Sequence, residues 1–344
     1  MAHLRVPPLL NAAGEPLLHG RSVVLTGGTR GIGFEVARGL VARGADVVIT
    51  GHRHETGVAA VTALQREHAG ARVTFQRSDF ADLDDVRRLA ASIAAQHRRV
   101  DLLVHNAAVV TPMRVVTSAG LETQFTVNHL AVVLLTHELM PALAAAREPG
   151  IVVTASQMEQ SGRMDFDDLT GARTYDAMRA YSTSKLANVL FTYELAARLR
   201  GTAFTVNCLH PGVARTDLLD MLERVQRNRT TPQTPARAIL SVARGTAGRA
   251  LRAVGLRPML QDPMPPPSVA GEMTLAVALA PEARAVSGSY FRDGEVGRTS
   301  PASHDVALRR RLWNVTAGLV GIDPGWPAVS RAASSVDSRG EAAP

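Results

Sequence analysis

Ser22-Val23-Val24-Leu25-Thr26-Gly27-Gly28-Thr29-Arg30-Gly31-Ile32-Gly33 decides the fold. Its first five residues are short, apolar and β-branched, as a strand buried on both faces is. A glycine-rich turn follows and runs straight into a helical pattern over Gly31–Arg43. A helix N-terminus offers unpaired N–H groups and the positive end of a dipole, so it suits a pyrophosphate. A Cβ at Gly27 or Gly31 would keep the backbone from approaching that anion, and Gly33 lets the helix pack closely. The spacing is Gly-x-x-x-Gly-x-Gly, which by itself also describes an ordinary turn. The strand before it and the helix after it point to a dinucleotide site, with Thr29, Arg30 and Ile32 completing the loop.

Outward from this loop, short apolar runs alternate with longer amphipathic ones. The runs are Val47–Thr50, Val73–Gln76, Leu102–His105, Ile151–Ala155 and Thr205–Leu209. Between them Gly57–His68, Leu83–His97, Thr123–Ala146 and Ala180–Arg200 read as helices. Such alternation predicts a parallel sheet covered on both faces, an α/β Rossmann-type doubly wound fold in a single domain spanning 21–325. The second strand ends in Thr50-Gly51-His52-Arg53. An acid at that turn would accept from a ribose 2′-hydroxyl; none is present, and a guanidinium suits a 2′-phosphate. His52, Arg53 and the nearby Arg30 therefore favour NADP(H), with NAD(H) as the alternative.

The chain has 344 residues, 46% of them apolar, which is ample for one large core. Residues 1–20, with Pro7, Pro8 and Pro16, read as a lead-in arm, and 326–344, rich in Ala, Ser and charge, as a disordered tail. A lone cysteine, Cys208, excludes a disulfide framework and a cysteine-rich metal site, and no metal ligands are assigned. No uninterrupted apolar run reaches the roughly 18 residues a bilayer span needs, and no secretory signal is recognisable, so a cytoplasmic protein is expected. The net charge of +7 is uneven: Arg224 through Gln261 holds eight arginines, no acid and no aromatic residue. Without stacking side chains that stretch does not read as a nucleic-acid site. It interrupts the alternation over 217–268 and reads as an inserted lid over the substrate. Its mixture of Ile239, Leu240, Val242, Leu251 and Val254 with arginines also leaves open a peripheral contact with anionic membrane.

The chemistry is carried by Tyr181 and Lys185 in Tyr181-Ser182-Thr183-Ser184-Lys185, four apart on one helix face. A free phenol titrates near 10, and an ammonium one turn away stabilises phenolate and lowers that value. Tyr181 could then exchange a proton with a carbonyl oxygen. The pair is common by chance. In register with the glycine loop, Asp79, His105-Asn106-Ala107-Ala108, Asn128, Ser156 and Pro211-Gly212, it resembles the short-chain dehydrogenase/reductase family over about residues 20–320. Val127-Asn128-His129-Leu130, Ser184–Phe191, His210-Pro211-Gly212-Val213 and Gly288-Ser289-Tyr290-Phe291 are most similar to its retinol dehydrogenase-like branch. Ser300-Pro301, Leu312-Trp313 and the acidic insert Asp165–Leu169 point the same way.

The resemblance implies that Tyr181 is the general acid/base and that Ser156 hydrogen-bonds the substrate oxygen. It implies that Lys185 lowers the tyrosine pKa and holds the nicotinamide ribose, and that Asn128 positions a relay water. Asp79 with Phe80 would contact adenine, Asn106 and Ala107 would pass the adenosine, and Pro211, Gly212, Val213 and Thr216 would wrap the nicotinamide. Ala108 stands where many members have glycine, so the backbone there must suit a Cβ. The expected substrate is a small apolar ketone, aldehyde or alcohol, and a homo-oligomer is left open. Two rival readings are a non-catalytic dinucleotide-binding redox sensor, which would usually lose the tyrosine or lysine, and a peripheral membrane protein on the same fold.

Overall fold

The computed structural model describes residues 3–214, 216, 218, 220–223, 225 and 265–327. Six apolar runs form the parallel strands β1 (Ser22–Thr26), β2 (Asp46–Gly51), β3 (Arg72–Arg77), β4 (Leu102–His105), β5 (Gly150–Thr154) and β6 (Thr205–His210). They stand in the order β3-β2-β1-β4-β5-β6, extended by β7 (Tyr290–Arg292), also parallel, and closed by the antiparallel β8 (Glu295–Val296). The sheet reverses direction of growth between β1 and β4, the switch point at whose carboxyl ends open α/β sheets bind ligands.

Helices α1 (Gly31–Val41) and α2 (His54–Glu67) cover one face. They bury Val36, Leu40 and Leu64 on Val23, Leu25, Val47 and Ile49. The other face carries α3 (Leu83–Gln96), α5 (Ala131–Ala144) and α6 (Ala177–Arg198), which bury Ile93, Leu134, Leu139 and Leu190 on Val24, Leu103 and Val153. Ahead of α5 stand one turn, α4 (Thr123–Phe125), and a π-helical turn, Thr126–Leu130. The stretch Thr123–Ala144 is long and apolar enough to cross a bilayer, yet 78% of its apolar window is buried between α3, α6 and the sheet. It is apolar because it lies inside the core, wrapped by protein on nearly every side.

The C-terminal part adds three helices, α7 (Pro267–Leu279), α8 (Pro281–Arg284) and α9 (Val306–Val320). Pro267 occupies the first turn of α7, where a fixed φ and a missing N–H cost nothing. This corrects the far boundary of the expected insertion: 267 and 268 belong to a core helix whose Leu275 and Ala276 are buried beside α1. The rest of the expected lid is described only at 218, 220–223, 225, 265 and 266, and the eight arginines of its basic stretch lie outside the described residues. The expected tail also begins too early. Trp326 is buried and stacked on Trp313 at 4.7 Å between ring centres, and Arg198 donates to the carbonyls of Pro324 and Trp326. An indole removes more apolar surface than any other side chain, enough to draw the chain end onto the core; residues 328–344 lie outside the description. The N-terminal arm is pinned: Leu4 is buried, and the Arg43 guanidinium donates to the carbonyl of Pro7 at 2.7 Å.

Candidate active site

The turn after β1 is laced to the turn after β4. The Thr26 hydroxyl accepts from the backbone N–H groups of Asn106 and Ala107, at 3.0 and 3.1 Å. The Asn106 carboxamide donates back to the carbonyls of Thr26 and Gly27. Gly27 has φ +68 and lies so close to this second turn that a Cβ would stand 2.9 Å from the Cα of Ala107. A Cβ on Gly33 would sit 2.1 Å from the Gly27 carbonyl oxygen and 2.6 Å from the Asn106 carboxamide nitrogen. Gly33 thus lets α1 close onto its own loop and onto Asn106. Ala108 is no misfit: among the described residues Asp293 is the only non-glycine with positive φ.

The switch point suits a dinucleotide on this chain's own geometry. The loop from Gly27 to Gly33 is a cradle that side chains would fill, and it opens onto the N-terminus of α1. Gly51 touches Thr29, so the turn bearing exposed His52 and Arg53 lies against the loop bearing Arg30 and Ile32. Asp79 is exposed at the end of β3, one carboxylate oxygen accepting from Ala81 N–H, and Phe80 packs on the core. At the other end, Pro211, Gly212 and Val213 follow β6, and the Thr216 methyl stands 3.3 Å from where a Cβ on Gly31 would lie. These turns all follow the carboxyl ends of parallel strands of one sheet.

The groups that the sequence nominates for the chemistry come from the end of β5 and from α6. Ser156 ends the loop after β5, and its hydroxyl accepts from Met158 N–H at 3.2 Å. Asp176 caps α6 by accepting from Arg179 N–H, which sets the first turn that presents Tyr181 and, one turn on, Lys185. Both are buried. The Lys185 ammonium donates to the Thr154 carbonyl at 3.0 Å and lies 5.6 Å from the Tyr181 ring centre. Their spacing alone leads one to expect a lowered phenol. Burial outweighs that: it pushes Tyr181 up to about 12, the Ser156 hydroxyl acting the other way through a hydrogen bond. Burial likewise lowers Lys185 to about 8. The charged form of each is the costly one in a dry site.

Asn128 sits in the π-helical turn, an irregularity that recurs at functional sites. Its Oδ1 accepts from Val109 N–H at 2.8 Å, and its Nδ2 donates to the Val109 carbonyl and to Ser184 Oγ, which itself donates to the Tyr181 carbonyl. Both amide protons of Asn128 are therefore spent on protein, and the side chain ties the loop after β4 to the helix of Tyr181.

Sequence reasoning missed the wall beside Tyr181. Val110, Met158, Ala177, Met178 and Val225 are buried in one cluster with the tyrosine, and Tyr175, Leu218, Met221 and Leu222 pack against it. Positions 218, 221, 222 and 225 follow helical spacing, a signal that was open to a periodicity search. Methionines in such a wall adapt to an irregular apolar shape.

A profile described as short chain dehydrogenase matches residues 21–227. Human retinol dehydrogenase 13 is 35% identical over 305 residues, 88% of this chain and 86% of that protein. Zebrafish (Danio rerio) polyprenol dehydrogenase is 32% identical, over 89% of each. Among solved structures, an uncharacterized protein from Mycobacterium Paratuberculosis is 26% identical with a TM-score of 0.67, covering 93% of this chain and 100% of that one. A short chain dehydrogenase from Burkholderia cenocepacia in complex with NADP is 27% identical with a TM-score of 0.58, covering 80% and 96%. With the loop, the Ser156–Tyr181–Lys185 constellation and these likenesses together, the chain belongs to the short-chain dehydrogenase/reductase family, in its retinol dehydrogenase-like branch, and is an oxidoreductase of CH–OH groups.

Proposed function

We propose that this enzyme exchanges a hydride between NADP(H) and an apolar ketone, aldehyde or the matching alcohol, with Tyr181 as the general acid/base. The observation that carries the substrate class is the wall of Val110, Met158, Met178 and Val225 around the phenol. Such a surface gains free energy from burying an apolar substrate, about 25 cal/mol for each Å² removed from water. Exposed Arg53 at the end of β2, and the NADP held by the Burkholderia relative, support the phosphorylated cofactor.

Bound nicotinamide supplies or accepts the hydride. The protein supplies the proton and the charge around the oxygen. A phenol held at about 12 is fully protonated at neutral pH, so Tyr181 stands ready as a proton donor, the form that carbonyl reduction requires. Ser156 gives the reacting oxygen a second hydrogen bond and steadies its developing charge. Lys185 at about 8 is mostly charged at pH 7, and when Tyr181 gives up its proton that ammonium stabilises the phenolate left behind. In the reverse direction the same phenolate takes the alcohol proton.

Tyr181→Phe keeps the ring and removes the acid. Consumption of NADPH with a medium-chain aldehyde or an aryl ketone should fall by about 10²–10⁴. NADPH binding, followed by fluorescence, should stay within a factor of two of wild type. Turnover near the wild-type rate would sink the assignment of Tyr181.

A further inference from the structure

Ser156 opens a short 3₁₀ turn, Gln157–Ser161, with Glu159 at its centre. Glu159 is 0% exposed. Its Oε1 accepts from Ser300 N–H at 2.8 Å and its Oε2 from the Ser300 hydroxyl at 2.7 Å. Ser300 lies 141 residues downstream and caps the 3₁₀ segment Pro301–His304. Among the described residues no lysine or arginine comes within ion-pair distance of Glu159; the His304 imidazole faces it, with Tyr193, Tyr290 and Cys208 around it. Burial raises the carboxyl and the two Ser300 donors pull it down.

A buried carboxylate without an ionic partner is a poor way to hold two segments together, since apolar packing of the same volume does so at less cost. What a carboxylate alone provides is two acceptor oxygens in a fixed fork, here both taken by one residue. The fork acts on a turn that is bonded to Ser156 twice, while Ser161 also ties it to the Ser182 hydroxyl on α6 at 3.1 Å. Glu159 N–H donates to the Ser156 carbonyl at 3.1 Å, and Met158 N–H donates to the Ser156 hydroxyl. Glu159 is thus bonded directly to the residue whose hydroxyl stands beside Tyr181.

We propose that Glu159 is a positioning residue that acts through Ser156, holding its hydroxyl in register with the Tyr181 phenol by anchoring the 3₁₀ turn to Ser300. The inference rests on the reading that Ser156 binds the substrate oxygen.

The test is a double-mutant cycle on the full-length enzyme with NADPH and one small aldehyde, comparing wild type, S156A, E159Q and S156A/E159Q. Glutamine has one acceptor oxygen, so one Ser300 donor then meets an NH₂. E159Q should lower kcat about tenfold, within the range of coupling between residues in contact. KM and the NADPH Kd should hold within twofold. In the S156A background E159Q should cost nothing more, because the group it positions is gone. Losses that multiply, an E159Q enzyme with full kcat, or an NADPH Kd that weakens as much as kcat falls would each overturn the proposal and leave the Ser156 reading standing. Full turnover by S156A would overturn both. If E159Q does not fold, Ser300→Ala removes only the Oε2 contact, and the same cycle with S156A applies, with a smaller loss expected.

Discussion

Arg53 ends the turn after β2 with its side chain exposed, and no carboxylate among the described residues holds it. A guanidinium in that state adds a charge-assisted bond to a 2′-phosphate and nothing to a 2′-hydroxyl. Such bonds contribute about 1.5–3 kcal/mol, so Arg53→Ala should weaken NADPH roughly tenfold to a hundredfold while NADH changes by less than twofold. Equal losses measured by fluorescence titration would show that Arg53 does not read the phosphate and would turn attention to Arg30. The positions of Arg53, Tyr181, Lys185 and Ser156 after β2, on α6 and after β5 were legible in the sequence, because each stands at one point of a motif bounded by a strand or helix. Asn128 was singled out in the sequence, yet its bonding was not legible there: its partners Val109 and Ser184 lie 19 and 56 residues away. Glu159 and Ser300 were invisible as a pair for the same reason, a contact across 141 residues that no local pattern announces.

At the scale of elements, the strands were readable because a buried parallel strand has to be short, apolar and β-branched, and Ser22–Thr26 and Leu102–His105 fall where the runs place them. The π-helical turn was not, because Thr123–Ala144 is apolar on nearly every side and its pattern has no gap to mark a change of winding. Nor was α7, also apolar nearly throughout: its first two residues fell inside the expected insertion and the rest was assigned to no element. The turn carrying Leu218, Met221, Leu222 and Val225 is the element whose role remains to be tested. These residues share one helical face and it meets the Tyr181 cluster. Met221→Ala with Leu222→Ala should remove wall from a bulky substrate, about 1–2 kcal/mol for each side chain. The expected result is a KM for large apolar carbonyls raised tenfold or more, with small aldehydes and NADPH affinity little changed. A loss shared by all substrates would mean that this face supports the core rather than the substrate.

For the whole molecule, a doubly wound parallel sheet followed from alternation and right-handed crossovers, whereas the closure by β7, β8, α9 and Trp326 did not, since an arginine-rich break hides the rhythm that precedes it. The assembled core also sets a response to acid that no one element owns. His105, His129 and His210 are buried at the end of β4, in the π-helical turn and at the end of β6, and burial lowers them to about 3, 4 and 4. The Thr136 hydroxyl, already donating to Val132, accepts from the His105 Nε2–H, while His129 bridges Asn188 and Thr316. Arg292 and Lys185 near His210 oppose its charging, and Asp293 favours it. Each folded pKa lies below the unfolded value near 6.5, so below that pH the unfolded chain takes up protons that the fold refuses. The stability these groups contribute is complete above pH 6.5 and is lost as pH falls toward 4. At pH 5 the loss is about 2 kcal/mol for each histidine. Lys185 follows the same rule but spends its share between 10.5 and about 8, above this window. Glu122 and Glu159, whose carboxyls burial raises, act in the opposite sense and soften the fall in acid. Three histidines against two partly offset carboxyls leave a net loss. Urea unfolding at pH 7, 6 and 5 should therefore give a midpoint that drops steadily, and His105→Leu should flatten the slope. An unfolding free energy that stays level from pH 7 to 5 would mean that the fold admits protons to these imidazoles.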